Sequence, residues 1–397
     1  MNKLSARLSW GALLVVSVAV SASVAPPEPL PPQVDLLQAR SPITRHGQRK
    51  LLVDVANTGK RLVSVGESGL VLLSQDGGVS WSQSPTPTSV MLTAVHFPSA
   101  QSGWAVGHDG VILATHDGGV TWARQFDGRQ GDQQMLDAAQ AQLARLPAAR
   151  AGTPEAPSNL RMALEDAVAG SQAAVEAGPS RPLLAVRFAN DKTGFAAGSF
   201  GQLFATDDGG QHWNYIGDRL DNTEGLHLNA LTLSPDGRIY IAAEAGTVFV
   251  STDMGRSWAR SNSGYKGHLY GVLPLPGEAL IAYGFNGHLF RSTDGGQAWK
   301  PLLSPTTKSI VSATTVNGTA LLVDEDGQLL TSTDQGENWA LMGTRLPVRR
   351  VGAMALVLST WSKARDAMAF DVLTVGLGGA DRHTLRWPAQ PDTTPTP

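Results

Sequence analysis

Along most of the chain, short apolar runs interleaved with polar residues are separated by glycine-rich turns. LTAVHF at 92–97 and LLAVRF at 183–188 are two such runs. This patterning predicts β-strands rather than helices. A second recurrent phrase follows them: SVGESGLVLLSQDGG, AVGHDGVILATHDGG, AAGSFGQLFATDDGG and AYGFNGHLFRSTDGG. Each reads as an apolar strand, a G-x-x-G turn whose glycines supply positive φ, and another strand of alternating residues. Each then enters an octapeptide of the form Ser/Thr-x-Asp-x-Gly-x-x-Trp. Six copies occur: SQDGGVSW (74–81), THDGGVTW (115–122), TDDGGQHW (206–213), STDMGRSW (251–258), STDGGQAW (292–299) and STDQGENW (332–339).

The acids of these copies are Asp76, Asp117, Asp208, Asp253, Asp294 and Asp334. The closing residues are Trp81, Trp122, Trp213, Trp258, Trp299 and Trp339, six of the chain's 10 Trp. The gaps between them are 41, 91, 45, 41 and 40 residues. A period of about 40–45 is one four-stranded propeller blade, so the long gap is a blade plus an insertion. Every unit then has strands a, b, c and d, with the octapeptide at the c–d hairpin.

Six octapeptides fit seven blades. After the last copy, residues 350–358 (RVGAMALVL), 369–376 (AFDVLTVG) and 383–387 (HTLRW) read as strands a, b and c of a final blade. Residues 34–39 (VDLLQA) are expected to supply its strand d from the other end of the chain, which leaves no seventh c–d hairpin. The span 34–387, less its insertion, gives about 43 residues per unit for seven blades and about 51 for six. The expected fold is all-β: a seven-bladed β-propeller, its last blade closed by an N-terminal strand, with a helical hairpin inserted.

That insertion occupies about 129–180, between blades 2 and 3. MLDAAQAQLARL (135–146) and LRMALEDAVAGSQAAVEA (160–177) carry Leu and Val at helical spacing, separated by the breaker-rich PAARAGTPEAPSN. Ser158 or Asn159 is the expected cap of the second helix.

Composition changes the picture mainly at the termini. Lys3, Arg7, an apolar run at 9–22 and small residues at 21–25 read as a signal peptide over residues 1–25. A Pro-rich linker at 26–33 follows, and a Pro/Thr tail at 388–397 cannot form a strand. The protein is thus expected to be exported, periplasmic or secreted, with no membrane span once the signal is cleaved. With 31 Lys+Arg against 34 Asp+Glu, nothing marks a nucleic-acid partner. Cys 0 excludes disulfides, thiol chemistry and a lipidated cysteine. No motif calls for a metal or a cofactor: DEDGQ at 324–328 lacks the ligand spacing of a calcium loop.

The octapeptide resembles the Asp-box, or BNR repeat, of sialidases and several non-enzymatic propellers, where it is structural. Physical chemistry agrees. The Asp can accept backbone N–H bonds from its own turn, the Gly takes a conformation costly elsewhere, and the Trp packs at the hairpin base. An acid repeated six times is also a poor candidate for one catalytic site. Sialidases open an arginine triad with Arg-Ile-Pro; the nearest match here is GRIY at 237–240, with Tyr240 in place of Pro and the motif inside a strand. The chain is therefore expected not to be an enzyme. The whole pattern, over about 34–387, resembles instead the seven-bladed photosystem II assembly and stability factors of plastids and cyanobacteria. The phrases SGWAVGHDGVILATHDGGVTW (102–122) and KTGFAAGSFGQLFATDDGGQHW (192–213) carry that resemblance. It implies a non-catalytic factor that holds membrane-protein intermediates; no feature of the chain points to a photosynthetic host, and the helical insertion departs from the family pattern.

In a propeller the b–c turns and d–a connections share one face, and the c–d hairpins lie on the other. Partner contacts are therefore expected opposite the Asp-boxes, beside the insertion, at His108, Asp109, Phe200, Phe285 and Asn286. Phe200 and Phe285 are unusual at turn tips; they either pack on a neighbouring blade or the insertion, or bind a partner. The expected role is an assembly factor or scaffold for an envelope membrane-protein complex, such as a transporter. The alternative is a glycan-binding or glycoside-hydrolysing propeller with arginines and carboxylates converging on the same face.

Overall fold

Seven antiparallel sheets follow one another along the chain in the computed structural model, which describes residues 34–146, 158–348, 350–357 and 367–388. The expected signal peptide, the linker and all but the first residue of the tail lie outside the described residues. Blade 1 contains strands Leu52–Asn57, Leu62–Gly66, Val71–Ser74 and Ser82–Ser84. Blades 2 to 6 repeat this meander, each with four strands in sequence order. Blade 7 has three among the described residues: Val351–Val357, Ala367–Gly376 and Gly379–Pro388. The first strand of each blade touches the first strand of the next, and that of blade 7 touches that of blade 1, so the inner strands close a ring.

Closure does not use residues 34–39 as a strand, contrary to the sequence expectation. The segment is a turn: the Asp35 side chain accepts from Leu37 N–H, and its carbonyl accepts from Gln38 and Ala39 N–H. Leu37 is fully buried between blades 1 and 2, among Val63, Val90 and Leu113. Its neighbours are tied to the connection between those blades, where Ser89 N–H donates to Leu36 O and Ser41 N–H to Thr86 O. The apolar pair Leu36-Leu37 and the three-stranded last blade together favour a strand in the sequence. Asp35 immediately before the leucines is the turn signal that overrides it.

The core is divided among the seven seams between blades rather than gathered in one place. The seam that closes the ring sets Leu52, Leu62 and Leu72 of blade 1 against Leu373 and Val375 of blade 7. At the next but one, Trp104 of blade 2 stacks on Phe188 of blade 3 with centroids 3.5 Å apart. Side chains also stitch inner strands across seams. Asp54 Oδ2 accepts from Val95 N–H, Thr93 Oγ1 donates to Leu183 O, Asn229 Nδ2 to Leu269 O, and Thr232 Oγ1 to Val272 O.

The insertion forms two helices, α1 (Gly128–Arg145) and α2 (Ser158–Ala177), which pack on each other. Helix α1 starts seven residues before the apolar pattern begins, because Asp127 and Gln130 form a reciprocal capping box that overcomes Gly128 and Gly131. Gly110, in the left-handed region at φ +67°, lets the blade 2 turn approach Gly128; a Cβ there would meet its backbone at 2.7 Å. Gln134 then caps the edge of blade 3, donating to Trp213 O and accepting from Tyr215 N–H. This double bond to an edge strand covers backbone groups that would otherwise face solvent.

Candidate functional site

The six Asp-boxes are built alike. The first hydroxyl donates to the Asp and accepts from the backbone N–H four residues on: Ser292 Oγ donates to Asp294 Oδ1 at 2.7 Å and receives Gly296 N–H at 2.9 Å. The Asp in turn accepts from the residue before the Trp, as Asp76 does from Ser80, Asp117 from Thr121, Asp208 from His212, Asp253 from Ser257, Asp294 from Ala298 and Asp334 from Asn338. Those bonds hold the carboxylates ionised. Asp208 is pulled down to about 2 by the backbone N–H and then the side chain of His212, and Asp253 to about 2 by Ser257. A carboxylate held this low is a poor proton donor or base near neutral pH.

Each box Trp lies in the seam with the preceding blade: Trp81 against blade 7, Trp122 against blade 1, Trp213, Trp258, Trp299 and Trp339 likewise in order. Trp81, Trp122 and Trp339 donate Nε1–H to the carbonyl of their own box glycine, while Trp299 reaches back to Ser261 of blade 4. The box thus joins a hairpin to its neighbour.

On the opposite face five of the b–c turns share one conformation. Their middle residues Ser68, Asp109, Phe200, Ala245 and Asn286 all have φ between 52° and 56°. Ser, Asp and Asn tolerate this left-handed region; a bulky Phe does not. Phe200 nevertheless sits there with 53% of its surface exposed, its ring edge-on to His227 at 4.8 Å. Phe285, 42% exposed, begins the blade 5 turn and accepts Tyr265 Oη–H at its carbonyl. A run of contacts joins the two: Glu244 lies 3.7 Å from His227 Nδ1 and 3.3 Å from His268 Nδ1, and Phe285 N–H donates to His268 O. Phe200, Phe285 and Asn286 therefore share one patch. His108 and Asp109 adjoin the start of α1 instead, where burial pushes the Asp109 carboxyl up.

Between the insertion and blade 3 the same face opens into a groove of about 440 Å³. Its position was not legible in the sequence. Arg181, the residue that returns the chain from α2 to the propeller, is its main tie. The guanidinium donates to Gly170 O of α2, lies 3.7 Å from Asp132 of α1, and covers the Phe200 ring. Asp132 is buried, which raises its carboxyl against the pull of Arg181.

A third polar cluster lies inside the ring. His96 Nδ1 accepts Phe188 N–H, and Arg187 stands near Asp54, His96 and Tyr283. Tyr283 is buried, and Asp54, His96 and Arg187 are half-buried. Burial pushes Asp54 up and pushes His96 down to about 3, with Arg187 adding to the latter. The sequence signal was a charged residue near the end of an apolar strand, in LTAVHF and LLAVRF.

Among the described residues, Arg238 of the GRIY motif is engaged by Glu278 at 2.9 Å and Asp236 at 3.2 Å. Asp324 of DEDGQ accepts from Asp326 and Gln328 N–H and shapes its turn. Among the described residues no group of three or more His, Asp or Glu is arranged to hold a metal, and no helix is long and apolar enough to cross a membrane.

Seven sheets in sequence order, closed through their first strands, make this chain a seven-bladed β-propeller with a helical hairpin insertion. Within that class it resembles the photosystem II assembly factors. The family described as photosynthesis system II assembly factor YCF48 matches residues 168–357. The photosystem II assembly lipoprotein Ycf48 of Synechococcus sp. (strain CC9902) is 26% identical over 199 residues, which are 46% of this chain and 56% of that protein. The chain therefore matches little more than half the length of that relative. Two solved structures share the fold. YCF48 bound to D1 peptide has a TM-score of 0.56 at 16% identity, covering 86% of this chain and 95% of its own. YCF48 from Cyanidioschyzon merolae has 0.53 at 14%, covering 88% and 98%.

Proposed function

We propose that this protein is an exported, non-catalytic propeller that serves as an assembly factor or scaffold for an envelope membrane-protein complex, such as a transporter, and that it grips its partner with the insertion face. The observation that carries the reading is Phe200: a large apolar ring held out to solvent on a backbone conformation that disfavours it. Five b–c turns share that conformation; Phe200 is set apart by the large exposed side chain it carries there. The similar proteins support a role in assembly, since one is named an assembly lipoprotein and another was solved with a peptide of D1. The Asp-boxes, in this reading, are structural. The lipoprotein name fits an exported or membrane-anchored protein, but the 397 residues here contain no cysteine to lipidate.

The test is site-specific photocrosslinking in cells of the source organism. A benzoylphenylalanine at Phe285 is expected to crosslink to an integral membrane protein, and one at Val79, on the Asp-box face, is not. Crosslinks only from Val79, or none to a membrane protein, would reject the proposal.

A further inference from the structure

The groove beside the insertion defines what the partner presents. Its walls are mixed, with an apolar part made by Met135 and Ala139 of α1, Leu164 and Ala167 of α2, Phe200 of blade 3 and Leu220 of the connection that follows blade 3. The volume lies in the range of about 300–1,000 Å³ that takes a compact ligand, enough for a few side chains and not for a folded domain. Its charges are unbalanced. Arg181 is committed to Asp132, Gly170 and the Phe200 ring. Glu224 is held by two bonds from Arg260. Asp166 and Asp218 line the groove without an ion pair among the described residues.

We infer that the groove receives a short segment of the protein partner in which a lysine or arginine is flanked by apolar residues. The inference rests on the partner-binding reading above. An anionic segment would meet two unpaired carboxylates, and a purely apolar one would cover them without replacing their water. A cation among apolar neighbours covers the apolar part of the walls and is attracted to the carboxylates, both of which are exposed. The left-handed Phe200 then has a purpose: it forms part of the apolar wall that the segment covers.

Fluorescent five-residue peptide pools with apolar flanks and a central Lys, Arg, Glu or norleucine, titrated against the full chain by anisotropy, test this. The Lys and Arg pools are expected to bind about threefold tighter than the Glu pool, the size of one exposed charge pair. Asp166→Asn with Asp218→Asn should erase that preference, and Phe200→Asn should weaken every pool. Equal binding of Lys and Glu pools, a preference that survives the double substitution, or no binding would overturn the inference. So would a concentration-dependent dimer that Asp218→Asn dissolves, since the occupant would then be a second copy. Crosslinking from Phe285 to a membrane protein is read independently of these results, so the peptide chemistry can fail while the partner-binding role stands.

Discussion

The guanidinium of Arg181 lies over the ring of Phe200, 5.3 Å from its centroid, and the same side chain reaches both helices of the insertion. One residue therefore holds together three elements that come from different parts of the chain. Replacing it by Met leaves the buried Asp132 without its cation. The two groups are 3.7 Å apart and do not hydrogen-bond, so the cost is below that of a closely bonded buried pair. The loss should be local: hydrogen exchange is expected to show α1 and α2 amides losing protection while the blades keep theirs. Arg181→Met combined with Asp132→Leu should recover most of that protection; equal loss throughout the blades would contradict the assignment.

Phe200→Asn separates stability from function. Asn suits the left-handed turn, as Asn286 does in blade 5, so relief of strain is worth about 1 kcal/mol. The thermal midpoint is expected to hold or rise slightly while partner capture weakens. A clear fall in the midpoint would mean that Phe200 is a packing residue.

Within the Asp-box the hydroxyl matters as much as the acid. Ser292 is buried and both donates to Asp294 and accepts from Gly296. Ser292→Ala strands a buried N–H and should cost about 1–3 kcal/mol by urea unfolding, with partner binding unchanged. A loss of binding without loss of stability would place function on the box face.

The interior cluster predicts a pH dependence. His96 is pushed from its ordinary 6.5 to about 3. Above the upper value both folded and unfolded forms are neutral. As pH falls toward the lower one, the unfolded chain takes a proton that the folded chain refuses, so stability declines through that window. Asp54, shifted upward, opposes the decline at its acid end, because the folded carboxyl protonates first. His96→Gln keeps an acceptor for Phe188 N–H and cannot ionise. Its urea midpoint is expected to change less than the natural protein's on acidification from neutral pH; parallel slopes would show that His96 is not the titrating group.

What the chain discloses by itself follows from range. The blades are legible because each is a local meander marked by glycine turns and a box. The helices are legible where Leu136, Leu143, Leu164 and Val168 fall at helical spacing, and α1's first turns are not, since two glycines mask a capping box. The placement of Leu37 between blades 1 and 2 depends on residues as distant in the chain as Val90 and Leu113, and the pattern of one apolar pair cannot encode it. Phe200 was visible as an odd residue at a turn tip. The groove around it was not, because Arg181, Asp166 and Asp218 meet only after the insertion folds back onto blade 3.

Among the described residues, blade 1 has all four of its strands within residues 52–84 and borrows none from the C-terminal part of the chain. A chain that appears N-terminus first, from a ribosome or a translocation pore, can therefore complete its sheets one after another as they emerge. No early sheet waits with an open edge for the last residues to arrive. Only the final seam, between Leu52 and Leu373, has to be made at the end, and it is made by apolar side chains meeting, not by backbone threading. That order shortens the time during which unpaired strand edges are available for aggregation.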